Sequence, residues 1–326
     1  MTTWLAIAAS LLAAGIVVYL AGPRVSIDTT IRFNPDVIGD DPESWLERTE
    51  SRYSDIRPGL HKQIIWADPV GRARTPLCII YIHGFSASLG EVRPLPDHVA
   101  GALQANLFYT RLTGHGRSEK AMGEASINAW VNDYAEAIAI GERLGEKIIV
   151  MATSTGATLA TWAASQPALS TNTAAFVMIS ANYGVQARGA GLLAGPWGAQ
   201  LAHWLVGPEN GFEPHNEQHA ALWTTRYPTT ALLPMAGLVK LAAGIRVEDI
   251  RSPALFLYSA KDSIIRPDLV ETMAHRWGGH AALVDIGATA DPSNHVIAGD
   301  ALSPETTDRA GKTILGFIRA LDGAPR

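Results

Sequence analysis

Ser154 lies where an apolar run stops and an alanine-rich run begins. Residues 147–151 (Lys-Ile-Ile-Val-Met) read as a short buried strand, β-branched and free of turn formers. Residues 156–164 are small or helix-forming, with Ala157, Leu159, Ala160 and Ala163 among them. A serine between small residues at a strand-to-helix turn has its hydroxyl lifted clear of the sheet edge. The first amides of the new helix then face any negative charge that develops on a bound carbonyl. Such a serine is a candidate nucleophile. Taken alone, Ala152-x-Ser154-x-Gly156 also fits an ordinary tight turn with a solvated hydroxyl, and Ala152 stands where the G-x-S-x-G form has glycine.

A serine nucleophile needs a base to take its proton, and the base needs an acid to fix its tautomer. Residues 255–259 form another apolar strand, closely followed by Asp262, and residues 280–286 form one more, followed by a loop that carries His295. Ser154, Asp262 and His295 each fall just past a strand, in the order Ser, acid, His. Asp268 and Asp291 are rival acids. Asp262 comes at a short distance past its strand, whereas Asp268 reads as the first turn of the next helix. His115 and His280 are rival bases, but neither lies on the final strand-to-helix loop.

With two further segments the chain resembles the α/β-hydrolase superfamily. His83-Gly84-Phe85-Ser86 follows strand 77–82 and looks like the oxyanion loop of these enzymes; Gly114-His115-Gly116-Arg117-Ser118 follows strand 106–112 and looks like their G-x-G-x-S loop. The resemblance covers residues 60–322. Arg111-Leu112-Thr113-Gly114-His115-Gly116, paired with a His-Gly oxyanion loop, is similar to the monoacylglycerol lipase and carboxylesterase group. It implies that the backbone amides of Phe85 and Thr155 form an oxyanion hole, with His83 shaping its loop. It also implies ester hydrolysis by a Ser154–His295–Asp262 triad, on short to medium acyl esters or monoacylglycerol-like lipids. A proline-iminopeptidase-type amidase, with Glu209, Glu213 and Glu217 reading a substrate amine, is the alternative within the class, and a non-catalytic binding module is the alternative outside it.

The elements that must position these groups alternate. Strands are expected at 62–67, 77–82, 106–112, 147–151 and 174–179, and helices at 94–104, 127–144 and 156–164. Trp130, Tyr134, Ala137 and Ile138 recur at helical spacing. Alternation of this kind implies an α/β fold with a mostly parallel central sheet, helices on both faces, and catalytic groups at the carboxyl ends of the strands. Residues 61–183 and 251–326 would make this core. Residues 184–250 break the alternation with Gly189-Ala190-Gly191, Pro196-Trp197, Trp204 and Trp223, and read as a helical cap inserted after the sixth core strand.

Residues 4–22 form an uncharged apolar run near the length that spans a bilayer. No basic residue precedes it and Tyr19 spoils a cleavage site, so it reads as a membrane anchor rather than a signal peptide. Arg24 and Arg32 follow the run, which favours a cytoplasmic catalytic domain while leaving an exported one open. Residues 23–60 are polar, with Asn34-Pro35 and Asp41-Pro42 as breakers, and read as a spacer lying against the domain.

Composition limits what else the chain does. At 326 residues, 47% of them apolar, it can bury a large sheet, and a net charge of −5 gives no reason to expect a nucleic-acid partner. One cysteine, Cys78, excludes an internal disulfide and sits within an apolar strand. No metal-ligand spacing, phosphate loop or dinucleotide fingerprint occurs, so no cofactor is expected. Oligomeric state is not readable.

Overall fold

A computed structural model describes residues 2–321; Met1 and residues 322–326, the ends of the expected anchor and core, lie outside it. The strands are β1 (Gln63–Ile65), β2 (Thr75–Ile82), β3 (Asn106–Tyr109), β4 (Gly145–Thr153), β5 (Thr173–Ile179), β6 (Glu209–Gly211), β7 (Arg226–Pro228), β8 (Ala254–Tyr258) and β9 (Ala281–Asp285). The helices are α1 (Thr2–Leu20), α2 (Pro42–Glu50), α3 (Leu95–Leu103), α4 (Ile127–Leu144), α5 (Thr155–Ala164), α6 (Pro167–Ser170), α7 (Gly198–Val206), α8 (Glu217–Leu222), α9 (Leu232–Ala243), α10 (Pro267–Arg276) and α11 (Pro304–Ala320).

Seven strands make one sheet in the order β1-β3-β2-β4-β5-β8-β9, parallel throughout except for β1, which runs antiparallel to β3. The central strands are apolar on both faces because both faces are covered. Ile80, Ile82 and Val150 pack with Trp130 and Tyr134 of α4, Trp162 of α5 and Met273 of α10. Their alternates Ile79, Tyr81, Ile149 and Met151 pack with Val99 of α3 and Ile314 of α11. Helix α4 starts where Ser126 accepts the Ala129 amide, a side-chain cap. The fold is the α/β-hydrolase arrangement.

Two features differ from the sequence expectation. Strand β3 stops at Tyr109 rather than 112, because the chain turns away: the Leu112 amide donates to His83 Nε2 and Arg111 reaches Glu50. The 184–250 insertion follows the fifth strand in sequence, not a sixth. Residues 35–50 supply a 3-10 turn and α2, with Asn34 and Asp41 capping both against proline starts. Residues 23–60 are also tied down more firmly than a spacer. Trp45 Nε1 donates to Glu136 (2.7 Å), and Arg143 donates to the Gly39 and Pro35 carbonyls. The insertion itself holds α7, the β6–β7 pair, α8 and α9.

Candidate active site

Strand β4 ends at Thr153 and α5 begins at Thr155, so Ser154 alone makes the turn, at φ +51° and ψ −117°. A non-glycine residue held there stores strain of about 1–3 kcal/mol. The turn survives because its surroundings leave it no alternative. The Ser154 amide donates to Ile179 O (2.8 Å) on β5, and a side chain at Gly156 would sit 2.5 Å from the carbonyl oxygens of both Ile82 and His83. Ala152 is fully buried between β2 and β5, so alanine is small enough at that position.

Asp262 and His295 come to this turn from the loops after β8 and β9. Asp262 Oδ1 accepts the amides of Ile264 (2.8 Å) and Ile265 (2.9 Å), which leaves Oδ2 to accept His295 Nδ1–H at 2.7 Å. That bond leaves His295 Nε2 as the acceptor, 3.0 Å from Ser154 Oγ. Burial works against the imidazolium, but the Asp262 carboxylate and its hydrogen bond outweigh it and raise the His295 pKa above its ordinary value. The loop is held from behind: Ser180 Oγ donates to His295 O (2.7 Å), and Asp291 Oδ2 accepts the amides of His295 and Val296.

The other candidates are elsewhere. Asp291 shapes the histidine loop through backbone amides rather than touching the ring. Asp268 pairs with Arg266 at the surface. His280 stacks on Phe317, and His115 is buried behind His83, with ring centroids 4.9 Å apart. Glu209 pairs with Arg226, and Glu209, Glu213 and Glu217 are all exposed.

His83 anchors the neighbouring loop. Its Nδ1–H donates to Gly84 O (2.8 Å) and its Nε2 accepts the Leu112 amide (3.1 Å), while burial pushes its pKa down to about 4. It therefore stays neutral and structural. Phe85 follows, its ring edge-on to Tyr227 of the insertion at 5.1 Å, and the Thr224 amide donates to Ser86 O (2.7 Å). The Thr155 amide opens α5 and has no acceptor within the helix. Ser154 is only 6% exposed. A groove of about 530 Å³ lies beside Thr173, at the start of β5, and touches none of these residues. Among the described residues no cluster of three or more His, Cys, Asp or Glu is placed to hold a metal ion. Cys78 is buried, and desolvation raises its thiol pKa, so it stays protonated.

Sequence reasoning passed over Glu91, Tyr81 and Ser180, all buried around this turn. The one available signal was Glu91, a lone acid within Leu89-Gly90-Glu91-Val92, where neighbouring residues suit a core.

Comparisons with known proteins agree with the fold. A thermostable monoacylglycerol lipase of Bacillus sp. (strain H-257) is 26% identical over 201 residues, covering 62% of this chain and 76% of that protein. A solved structure from the metagenome-derived lipolytic enzymes LipS and LipT superposes with a TM-score of 0.62 at 21% identity, covering 81% of this chain and 99% of that one. A soluble variant of monoglyceride lipase from Saccharomyces cerevisiae, in complex with a substrate analog, gives a TM-score of 0.61 at 11% identity, covering 79% and 89%. Residues 79–306, most of the chain, match the model of the alpha/beta hydrolase family. The chain belongs to that family, near its monoacylglycerol lipase and esterase members.

Proposed function

We propose that this protein is a serine hydrolase of carboxylic esters, acting on short to medium acyl esters or monoacylglycerol-like lipids through an acyl-enzyme. The observation that carries the reading is the continuous relay from Asp262 through His295 to Ser154, at 2.7 and 3.0 Å. Ser154 Oγ attacks the acyl carbonyl as its proton passes to His295 Nε2. Asp262 holds the imidazole tautomer and stabilises the imidazolium that forms. The tetrahedral oxyanion is received by the Phe85 and Thr155 amides, each worth on the order of 3 kcal/mol. His295 then protonates the leaving alcohol, and water activated by the same ring releases the acid.

Residues 184–250 serve as a cap in this reading, supported by Tyr227 packing on Phe85 and by the small access of Ser154. Entry of an acyl chain then requires the cap to move. A lipid-derived substrate fits the rest of the chain. Helix α1 contains an 18-residue span of mean hydropathy 2.1, none of it buried, and we read it as a membrane anchor. Its end is pinned to the cap: Trp197 Nε1 donates to Val18 O (3.1 Å) and the Trp197 amide to Pro23 O (2.7 Å). Trp204 and Leu205 on α7 are three-quarters exposed, an apolar surface close to that anchor.

The test is hydrolysis of p-nitrophenyl esters from acetate to palmitate by the full chain in detergent, beside Ser154→Ala. Turnover that peaks at one chain length, disappears in the variant and is blocked by a fluorophosphonate on Ser154 supports the reading. Ester turnover undiminished in Ser154→Ala, or none by wild-type protein, refutes it.

A further inference from the structure

Behind the candidate nucleophile lies a carboxyl group that the mechanism above does not use. Glu91 is 2% exposed, on the segment that follows the oxyanion loop. Its Oε2 accepts two hydrogen bonds, from the Gly84 amide at 2.7 Å and from the Tyr81 hydroxyl at 2.9 Å. Tyr81 spends its single proton on Glu91, so its oxygen accepts from Thr153 Oγ1 at 3.0 Å. Thr153 is the residue before Ser154. One chain of hydrogen bonds therefore runs from the turn that carries the nucleophile to the loop that carries the Phe85 amide.

The packing there is close. A Cβ built on Gly84 would stand 2.7 Å from Glu91 Oε1 and 3.0 Å from Ser154 Cβ, so only bare backbone fits between the carboxyl group and the serine. The Gly84 amide is also the last one before Phe85. A hydrogen bond at Gly84 N, together with the His83 ring on Gly84 O, holds both ends of the residue that aims the Phe85 N–H.

We propose that Glu91 is a positioning residue for the reaction: as a carboxylate it holds the Gly84 amide, and through it the Phe85 oxyanion donor, in register with Ser154, and its negative charge supports the imidazolium that forms on His295. This deepens the proposed ester hydrolysis and rests on that reading of Ser154. Glu91 does not touch the substrate and exchanges no proton with it.

Charge is central to the role. An ionised carboxylate accepts an N–H and an O–H far more strongly than a neutral acid does. Burial raises the Glu91 pKa, and although the Gly84 and Tyr81 bonds and His295 oppose this, it stands at about 7. The ionisable groups facing it are Tyr81 from β2 and His295 from the loop after β9. Behind these stand Tyr109, against Tyr81, and Asp262 and Asp291, against His295. Burial keeps Tyr81 protonated well past neutrality, so it remains a donor across the working range. Full activity then requires two groups to be deprotonated near neutral pH, His295 and Glu91.

The experiment compares full-length wild type, Glu91→Gln, Tyr81→Phe and Ser154→Ala in detergent, with p-nitrophenyl butyrate from pH 5 to 9. Glutamine keeps the shape and an oxygen for Gly84 but has no charge. At pH 8–9 we expect Glu91→Gln to lose about tenfold in kcat with KM within twofold, because the loss is in transition-state stabilisation. The gap should close as the pH falls and wild-type Glu91 takes up its proton. The acid limb of log kcat/KM should be steeper than one in wild type over the decade in which that tenfold is lost, and have a slope of one throughout in the variant. Tyr81→Phe, which removes a donor to the carboxylate, should move the wild-type limb to higher pH. A Glu91→Gln enzyme equal to wild type at pH 8, or slower by the same factor at every pH, overturns the proposal. If Glu91→Gln does not fold, an unmoved limb in Tyr81→Phe overturns it in the same way. Ser154→Ala turning over like wild type would instead remove the premise, whatever the Glu91 variants show.

Discussion

Replacing Asp262 by asparagine should slow ester hydrolysis by about four orders of magnitude and leave the protein folded. The size follows from which way the amide must face. Asp262 Oδ1 accepts two backbone amides, from Ile264 and Ile265, while Oδ2 accepts one ring N–H. An asparagine that kept its oxygen towards the two amides loses one acceptor. Turned the other way, it sets an NH2 against two backbone donors, each left unsatisfied at a cost of about 1–3 kcal/mol. The first orientation wins, and it presents N–H to His295 Nδ1. Imidazole can meet that donor only with Nδ1 bare and the proton on Nε2, where it points at Ser154 Oγ and cannot accept. The resting tautomer is then the wrong one, and a loss of about 10⁴ corresponds to about 5.5 kcal/mol of barrier. Fluorophosphonate labelling of Ser154 should slow in parallel. Without the Asp262 carboxylate, burial is opposed only by the charges of Glu91 and Asp291, so the surviving activity should have its acid limb displaced to lower pH. Asp262→Asn turnover within tenfold of wild type, in a protein of unchanged melting temperature, would refute the tautomer argument and with it the role of Asp262.

Other consequences follow from the same geometry. Ser154→Gly should be inactive yet roughly 1 kcal/mol more stable than Ser154→Ala, because glycine relieves a φ of +51° that alanine does not; urea unfolding of both variants measures this. Gly156→Ala should destabilise by about 1–3 kcal/mol and depress labelling of Ser154, since its methyl meets two carbonyl oxygens on the β2 side, and thermal melts beside labelling rates report both. Glu50 and Arg111 form a buried pair at 2.7 Å, so Glu50→Ala should cost about 3–5 kcal/mol by stranding the guanidinium. Burial raises the Glu50 pKa, but Arg111 outweighs it and the net shift is downward. Its stabilisation is therefore present above the unfolded carboxylate value and lost as pH falls through the lower folded one. Melting temperatures of Glu50→Gln below pH 4.5 should accordingly fall less steeply than those of wild type.

Much of the fold and of the candidate site was legible in the sequence because it is written locally. Alternation of apolar strands with amphipathic helices implies a covered parallel sheet, and the small residues around Ser154 mark a turn that only small residues can make. Asp262 and His295 were legible as residues just past a strand, where any parallel sheet gathers its functional groups. The boundary of β3 was not, since Arg111 and Leu112 are recruited by Glu50 and His83, partners far off in sequence. Nor was the reach of residues 23–60, whose bonds to α4 join positions about a hundred residues apart.

Tertiary structure alone decided which of the rival acids reaches the imidazole. Asp262 and Asp291 are both buried acids on loops after strands, but only the backbone path of each loop directs one carboxylate to the ring and the other to backbone amides. It also decided that Glu91 matters. A carboxylate's behaviour depends on the solvent it loses and the donors it gains, and for Glu91 those donors come from Gly84 and from Tyr81 on β2. Sequence specifies which groups are available and roughly where along the sheet they end. Hydrogen-bond direction and desolvation, which only the folded chain sets, determine what each of them can do.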